Sequence, residues 1–563
     1  MAIVAFHRCL KQTEVSIAAL AGKRRLIVAF LAGAMSVLAF APVFLFPILF
    51  FTLPVFVWLI DASDGPRQAA LAGWAFGFGY FLANLFWIGE AFLVEAEKFA
   101  WLMPFAVMCL PAGIALFWAG AAAVARTFWH RGASRVLILA VCLSIAEWLR
   151  GHVLTGLPWN VLGYALTYPL ELMQSAALMG VYALTLVAAV VFTAPLVIAA
   201  DAKGMQQGKA FIWACLVAVL PIACLAAYGA WRLSVSPSEN VPGVTLRIVQ
   251  PSVPQREKWQ PQNQGAIFSQ HLEMSATGPG GRKDNLAGIT HVIWPEAAMP
   301  FFPLEHPEAL SAIGAMLPDG TVLVTGALRR EKAAGGEQQG FNSLLAFGDQ
   351  GQLIATYDKV HLVPFGEYLP FDAVLSAIGF KKLTQGLGSF ATGSVHRPLL
   401  NIPGLPPVAG LICYEVLFPG QVIDRGSRAG AIINVTNDGW FGDTTGPRQH
   451  FHQTRVRAVE EGLPVVRAAN NGISAVIDPY GRVANLLGLN VTGVADSALP
   501  KAAPPTPFVR FGDVGFAVLL ALALIGIWRA GRGASVETDP EPRTDSMSRL
   551  VCRLTLLAPA RNN

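Results

Sequence analysis

Long apolar segments dominate the first 232 residues of the chain and return once near its end. Eight such segments lie near residues 24–41, 43–60, 68–92, 102–125, 135–153, 171–200, 210–232 and 511–529. Each approaches the length of a transmembrane helix, which needs about 20 mostly apolar residues. Any one of them could instead be a buried core helix. Seven in series with almost no charged residues predict a membrane bundle of seven helices, to which the last segment adds an eighth.

Basic residues in the connections between these segments predict the orientation of the bundle. They are Lys23, Arg24, Arg25, Arg67, Arg126, Arg131, Arg135, Lys203, Lys209, Arg529 and Arg532. With eight spans, all of these connections fall on one side of the membrane, which the positive-inside rule identifies as cytoplasmic. We therefore expect residues 1–23 and 531–563 in the cytoplasm, membrane domains at 24–232 and 511–530, and residues 233–510 outside.

The external segment has a different pattern. Short β-branched runs such as THVIWPE, VAGLICYE and AIINVTND alternate with helix-like segments at 262–276, 305–317, 419–428 and 446–462. Strands that alternate with helices indicate an α/β domain whose sheets are covered by helices. A stretch of this length can bury a full core without disulfides.

Composition narrows the class of protein. The chain has 563 residues, of which 54% are hydrophobic and 14% are charged, whereas soluble domains carry about 25% charged residues. This excludes an ordinary soluble enzyme and a disordered chain, and a net charge of +5 offers no basic surface for nucleic acid. Of the seven cysteines only Cys413 lies in the external domain. It is either a reactive thiol or a small buried apolar residue.

Three strand ends in the external domain carry groups capable of chemistry. Glu296 ends a strand in WPEAAMP, Lys359 follows a strand in YDKVHLVP, and Cys413 ends a strand in GLICYE. Acyl transfer through a thiol needs a nucleophile, a base and a cation or donors for the oxyanion. Each motif alone is weak, because a single Lys or Glu is usually a solvated surface charge. Together they indicate one catalytic site.

These three residues resemble the Glu-Lys-Cys triad of the nitrilase, or carbon–nitrogen hydrolase, superfamily, which implies an αββα sandwich. PWN (158–160), NVTNDGWFGDTTGPRQH (434–450) and RAVEEGLPVVRAANNGIS (457–474) extend the resemblance over residues 20–530. A nitrilase-like domain held outside a membrane bundle is similar to the bacterial apolipoprotein N-acyltransferase family.

That resemblance implies a reaction without metal or cofactor in the bacterial inner membrane, with the catalytic domain on the periplasmic side. An acyl chain leaves a phospholipid, forms a thioester on Cys413, and passes to the α-amine of the diacylglyceryl-cysteine of an apolipoprotein. Glu296 would be the base. Lys359 would stabilise the oxyanion, together with a backbone N–H near Tyr414, and would favour the Cys413 thiolate. Glu367 and Glu415 would orient Lys359 or the base.

Other residues admit two interpretations. Trp259 resembles a substrate-side aromatic residue of the family, while Trp440 and Phe441 either line an acyl path or pack in the core. Residues 371–383 form either an amphipathic lid that ends in Lys381 and Lys382 or an ordinary covering helix.

Asp438, Asp443, His450 and His452 could suggest a metal site. We reject this interpretation, because the two histidines are two residues apart and would point to different faces of a helix.

Two other functions fit the same composition. A membrane-anchored amidase of the nitrilase type would let water, rather than an amine, resolve the acyl-enzyme. A transporter or sensor could carry an external binding domain, although a binding domain has no need of a thiol beside a base.

Overall fold

The computed structural model describes residues 2–130, 132–201, 207–332, 336, 338–371, 390–424 and 426–534. Apart from Phe371, the predicted lid at 371–383 lies outside the described residues, and so does the tail after residue 534.

Helices form the first part of the chain and its end. The membrane-type helices and their short connecting helices are Ala2–Ala18, Gly22–Ser36, Leu49–Asp61, Pro66–Leu85, Glu90–Leu93, Ala96–Phe99, Met103–Thr127, Ser134–His152, Leu170–Met173, Ala176–Asp201, Gln207–Ser234, Pro507–Phe511 and Val514–Ala534. Every apolar segment predicted from the sequence overlaps one of them.

Four helical stretches among the described residues are long and apolar enough to cross a membrane: Pro66–Leu93, Ala96–Thr127, Ala176–Ala199 and Gln207–Ser234. Two shorter apolar helices, Phe46–Asp61 and Val514–Ala530, accompany them. The chain therefore has a membrane-type helical bundle, while eight crossings stay a prediction.

The first helix, Ala2–Ala18, was not predicted, since residues 1–23 were expected only to form a cytoplasmic N-terminus. It packs on the bundle, where His7 Nδ1 lies 2.8 Å from the carbonyl oxygen of Ala199 and the ring of Phe6 lies 5.9 Å from that of Phe211. Its apolar residues alternate with polar ones too often to suggest a membrane span.

The α/β domain, called the external domain after its predicted placement, contains two principal sheets. Its strands are β1 (Asn240–Gln250), β2 (Thr277–Gly278), β3 (Arg282–Lys283), β4 (His291–Met299), β5 (Val322–Lys332), β6 (Gln338–Phe347), β7 (Leu353–Asp358), β8 (Val408–Ile412), β9 (Ala431–Thr436), β10 (Val465–Ala469), β11 (Ser474–Ile477), β12 (Val483–Leu487) and β13 (Gly493–Pro500). The six-stranded sheet has the order β13-β1-β4-β5-β6-β7, the five-stranded sheet has the order β12-β11-β10-β9-β8, and β2 pairs with β3.

The two sheets pack face to face between layers of helix. Leu246 and Val324 of the first sheet share a core with Val408 and Val466 of the second. Helices Gln264–Ser275 and Pro307–Met316 cover the outer face of the first sheet, and Thr445–Glu461 covers that of the second. This arrangement confirms the helix-covered α/β domain expected from the alternating pattern and the αββα sandwich implied by the family resemblance.

One of the predicted helices is wrong. Residues 419–424 and 426–428 form turns, in which Gln421 N–H donates to the carbonyl oxygen of Phe418 and Ser427 N–H to that of Asp424. Pro419 and Gly420 interrupt the segment at its start, where Gly420 has a φ of +68°.

The bundle and the external domain are joined through buried polar contacts. Trp159 Nε1 donates to Gln449 Oε1 at 2.7 Å, and the backbone N–H of Val181 donates to Glu460 Oε1 at 2.9 Å. Thr167 Oγ1 lies 2.8 Å from His452 Nε2. The hydrophobic core continues across the same surface, so the external domain is packed firmly against the bundle.

A buried ion pair on the bundle side supports this contact between the bundle and the external domain. Arg150 NH2 lies 2.6 Å from Glu147 Oε2, and both side chains are almost completely inaccessible. Arg150 also donates to the backbone carbonyls of Leu157 and Trp159, and Trp118 Nε1 donates to Glu147 Oε1 at 2.6 Å. Through these contacts, the buried ion pair of Glu147 and Arg150 holds the loop that contacts the external domain.

We expect Arg150→Met to destabilise the protein by about 3–5 kcal/mol, because it leaves Glu147 buried without its counter-charge. The matched control is Lys98→Met, which removes an exposed ion pair with Glu95 worth about 0–1 kcal/mol. Thermal unfolding of the purified proteins in detergent measures both. Equal midpoints for the two variants would contradict this assignment.

Candidate active site

Cys413 stands at the beginning of a tight turn directly after β8. It is buried, and its φ of +51° lies in the left-handed region, which non-glycine residues seldom adopt. The turn Cys413–Leu417 is fixed because the backbone N–H of Ile412 donates to Glu415 Oε2 at 2.9 Å. The prediction that a strand ends at this thiol is confirmed.

Glu415 joins the turn of Cys413 to the segment that follows Lys359. Its Oε1 accepts from the backbone N–H groups of Val360 at 2.9 Å and His361 at 3.1 Å. The Tyr357 hydroxyl lies 2.9 Å from each carboxylate oxygen of Glu415. The Arg397 guanidinium lies 3.0 Å from Glu415 Oε1. Glu415 therefore fixes the backbone around both predicted catalytic residues.

Lys359 is almost completely buried and is paired with carboxylates. Its Nζ donates to Glu367 Oε1 at 2.9 Å and lies 3.6 Å from Glu296 Oε1. Burial disfavours the ammonium, yet the Glu367 and Glu296 carboxylates outweigh it and hold the pKa of Lys359 above its ordinary value. Glu367 is itself held by the backbone N–H of Val363 at 2.8 Å. The lysine thus stays charged.

The prediction that Glu296 ends a strand is wrong. Strand β4 continues to Met299, but its pairing with β5 is irregular between Trp294 and Met299. Pro295 cannot donate to the ladder, and Ala297 adopts a φ of +46°. This bulge aims the glutamate into the site from the middle of an irregular strand.

Two neighbours of Glu296 were not predicted. Asn342 on β6 donates through Nδ2 to Glu296 Oε1 and to Glu367 Oε1, both at 2.8 Å. Lys258 is buried and donates through Nζ to the backbone carbonyl of Glu296 at 3.0 Å, and burial lowers its pKa to about 8. The only sequence signal for Asn342 was the polar pair Asn-Ser in the otherwise apolar run FNSLLAF.

Burial raises the pKa of the Cys413 thiol well above its ordinary value. The Glu296 carboxylate adds to this rise, and Lys359 opposes it without cancelling it. Lys359 therefore favours the Cys413 thiolate, as expected, but burial of the sulfur outweighs the attraction of the ammonium. The nucleophile needs a base at the moment of attack.

A second buried network lies behind the nucleophile. Asp438 accepts from Arg467 at 2.8 Å and lies 2.9 Å from His450 Nδ1, while His450 Nε2 lies 3.3 Å from the carbonyl oxygen of Cys413. Burial raises the pKa of Asp438, but Arg467 and His450 outweigh it and bring the pKa far below its ordinary value. Asp438 thus forms an internal ion pair with Arg467, and His450, whose pKa burial lowers, joins them through a hydrogen bond. No metal-holding group of three or more such side chains occurs among the described residues.

The aromatic residues predicted at or near the site lie in three places. Trp259 is half-buried beside Phe302 and Tyr368 in a small apolar cluster with Leu362. Tyr414 donates its hydroxyl to the carbonyl of Gly156 at 2.5 Å, which ties the catalytic turn to the bundle.

Phe441 packs at the joint with the bundle, its ring centroid 4.4 Å from that of Trp87 and 5.9 Å from that of Trp159. Trp440 is half-buried beside it. Phe441 thus packs in the core, which was one of the two alternatives given for it. An acyl path along Trp440 or Phe441 stays a prediction.

Comparison with known proteins identifies the family. The model of the apolipoprotein N-acyltransferase N-terminal domain matches residues 32–194, and the carbon–nitrogen hydrolase model matches residues 246–503. An apolipoprotein N-acyltransferase of Rhodopseudomonas palustris is 45% identical over 512 residues, which cover 90% of this chain and 95% of the relative. One of Bradyrhizobium diazoefficiens is 46% identical over 529 residues, covering 92% and 97%. The chain belongs to the apolipoprotein N-acyltransferase family.

Membership of this family confirms the resemblance found in the sequence and makes the chain an acyltransferase with a carbon–nitrogen hydrolase domain. Among solved structures, a mutant of the Nesterenkonia AN1 amidase from the nitrilase superfamily is 19% identical and covers 47% of this chain and 93% of its own, with a TM-score of 0.33. The sandwich assignment rests on the sheet order and packing described above.

The protonated state of Cys413 in this acyltransferase can be measured by alkylation. We expect the rate of its modification by iodoacetamide to rise steadily from pH 7 to pH 9, because the raised pKa keeps the thiolate fraction small throughout this range. Mass spectrometry of the peptide that carries Cys413 measures the rate, with free glutathione as the reference thiol. A plateau reached below pH 8 would show a thiolate and contradict this assignment.

Asn342→Leu tests whether the amide positions the two carboxylates. We expect a fall in kcat of about 10- to 100-fold and a shift of the acidic limb of the rate–pH profile to higher pH, because a carboxylate without its donor binds a proton more readily. The control is Asn485→Leu, which removes an amide bonded to the carbonyl of Asp496 on β13. A lower kcat with an unchanged rate–pH profile would mean that Asn342 has only a structural role.

Proposed function

We propose that this chain transfers an acyl chain from a phospholipid, through a thioester on Cys413, to the N-terminal α-amine of the diacylglyceryl-cysteine of an apolipoprotein. The observation that carries this proposal is the shared buried site of Glu296, Lys359 and Cys413, which is packed against an apolar bundle. Family membership supports the same reaction, since the relatives are named apolipoprotein N-acyltransferases.

In the first half-reaction Glu296 takes the proton of the Cys413 thiol as the sulfur attacks the ester carbonyl. Lys359 stabilises the oxyanion together with a backbone N–H near Tyr414. When the carbon–oxygen bond breaks, Glu296 returns its proton to the departing alkoxide, so a lysophospholipid leaves and a thioester stays. Glu367, Glu415 and the Asn342 amide hold these groups in place.

In the second half-reaction the α-amine of the acceptor attacks the thioester carbonyl. Glu296 takes a proton from the attacking nitrogen, Lys359 again stabilises the oxyanion, and the carbon–sulfur bond breaks. The Cys413 sulfur then recovers its proton from Glu296, which restores the resting site. The products are an amide and the free enzyme.

The membrane placement that we propose has eight crossings, at 24–232 and 511–530. The catalytic domain at 233–510 lies on the periplasmic side of a bacterial inner membrane, with both termini in the cytoplasm. The distribution of Lys and Arg in the connections supports this orientation. Both substrates are lipids, and a site packed on the bundle can meet them without their leaving the bilayer.

Trapping the intermediate tests the proposal. We expect purified protein incubated with acyl-labelled phospholipid, and no amine acceptor, to carry label on the peptide that contains Cys413, released by neutral hydroxylamine. Added diacylated lipopeptide should then receive the label on its amine. Cys413→Ala should carry no label, and Glu296→Gln should form the thioester about 10²- to 10⁴-fold more slowly, the range lost with a general base.

Two outcomes would contradict the proposal. Without labelling of Cys413, the thioester route fails and a binding function gains support. If the label leaves only as free fatty acid while lipopeptide is present, water rather than an amine resolves the intermediate, and the amidase alternative is favoured.

A further inference from the structure

Lys258 carries a buried ammonium that the proposed mechanism does not use. It is the last residue of the short helix Gln255–Lys258, which follows β1, and it is 1% exposed. Its Nζ donates to the backbone carbonyl of Glu296 at 3.0 Å. Burying a cation is costly unless hydrogen bonds and an opposite charge compensate it, so its place beside Glu296 needs a physical reason.

Contacts with two different parts of the protein hold this short helix in place. The side-chain amide of Asn437, which follows β9, donates through Nδ2 to Gln255 Oε1 at 2.7 Å. The exposed Arg256 donates through NH2 to the backbone carbonyl of Leu93 in the bundle at 2.8 Å. The ammonium therefore reaches β4 from a segment whose own position is anchored outside that strand.

The part of β4 that receives this hydrogen bond is irregular. In the described register, the pairing of β4 with β1 ends at Ile293, and its pairing with β5 is interrupted between Trp294 and Met299. Gly326 of β5 lies so close that a Cβ there would come within 2.5 Å of the Glu296 Cα. Movement toward β5 is thus blocked, and the ammonium binds a carbonyl that lies in the interrupted part of the ladder.

Electrostatic attraction links the Lys258 ammonium to the Glu296 carboxylate. Burial lowers the pKa of Lys258 to about 8, and the Glu296 carboxylate opposes this fall. His271 of helix Gln264–Ser275 also faces Lys258, and burial, with a contribution from the Lys258 charge, lowers its pKa to about 4. His271 is therefore neutral near pH 7, which leaves the carboxylate as the counter-charge of Lys258. Because the attraction is mutual, the ammonium stabilises the ionised carboxylate that a general base requires.

We propose that Lys258 is a positioning residue for Glu296. Its ammonium fixes the peptide of the β4 bulge, so that the carboxylate is held toward Cys413, and it supplies a positive charge beside that carboxylate. The inference rests on the role of Glu296 as the base in the proposed function. It gives Lys258 a different task from that of Lys359, which stabilises the oxyanion.

Replacing Lys258 tests this inference through the rate at which acyl-labelled phospholipid forms the Cys413 thioester. Lys258→Met removes both the hydrogen bond and the charge at similar volume. We expect the rate to fall about 10- to 100-fold, the range lost when a reacting group is misplaced by about 1 Å. We also expect the acidic limb of the rate–pH profile to move up by about 0.5–1 pH unit, because a carboxylate without the nearby cation binds a proton more readily.

Two further variants separate position from charge. Lys258→Gln keeps a neutral donor, so it should move the acidic limb as far as Lys258→Met does while lowering the rate less. Gly326→Ala displaces the bulge without changing any charge, so it should lower the rate and leave the acidic limb in place. The matched control is Lys283→Met, which removes an exposed lysine on β3 and should change neither the rate nor the profile.

A Lys258→Met protein with the rate and profile of the unaltered protein would overturn the inference. A lower rate with an unmoved acidic limb in both Lys258 variants would also overturn it, since Lys258 would then only support the fold. The position of the limb does not depend on the amount of folded protein, so a lower unfolding midpoint leaves this result valid. If the unaltered protein forms no thioester, the proposed function itself fails, whereas equal thioester formation by the unaltered protein and the Lys258 variants removes this inference alone.

Discussion

The geometry of the active site depends on one buried carboxylate, Glu415. Lys359 follows β7 in the six-stranded sheet, whereas Cys413 follows β8 in the five-stranded sheet, so their separation is set by the packing of two sheets. Glu415 accepts from the backbone N–H groups of Ile412, on the cysteine side, and of Val360 and His361, on the lysine side. Because both segments bind the same carboxylate, neither can shift without losing charge-assisted hydrogen bonds in a site that excludes water.

A single helix connects the candidate active site to the membrane-type bundle. Helix Thr445–Glu461 covers one face of the five-stranded sheet and brings His450 behind the nucleophile. From other positions on that helix, Gln449 and Glu460 bond to Trp159 and to the backbone of Val181 in the bundle. One helix therefore contacts both the bundle and the backbone of Cys413, an arrangement that suits the lipid substrates that we propose.

Local patterns in the sequence predicted much of this architecture, and their failures have physical causes. Apolar length and strand alternation depend on neighbouring residues alone, so the helices, the sheets and the strand that leads to Cys413 were found. Asn342 was missed because its role depends on the register of β6 against β5 and β7, which brings two distant carboxylates to one amide. The raised pKa of Cys413 was not predicted, because burial depth, which outweighs the charge of Lys359, has no local signal.

The protonated thiol is consistent with the charge balance of the buried site. At rest, the Lys359 ammonium is already matched by Glu367 at 2.9 Å, with Glu296 slightly farther away at 3.6 Å. A standing thiolate at Cys413 would add a third negative group to a site with one close cation, at a high desolvation cost. In the mechanism that we propose, passing the proton from sulfur to Glu296 creates the nucleophile without changing the net charge. The paired lysine is therefore consistent with a proposed mechanism in which the thiol ionises only while it attacks and the developing oxyanion becomes the new partner of Lys359.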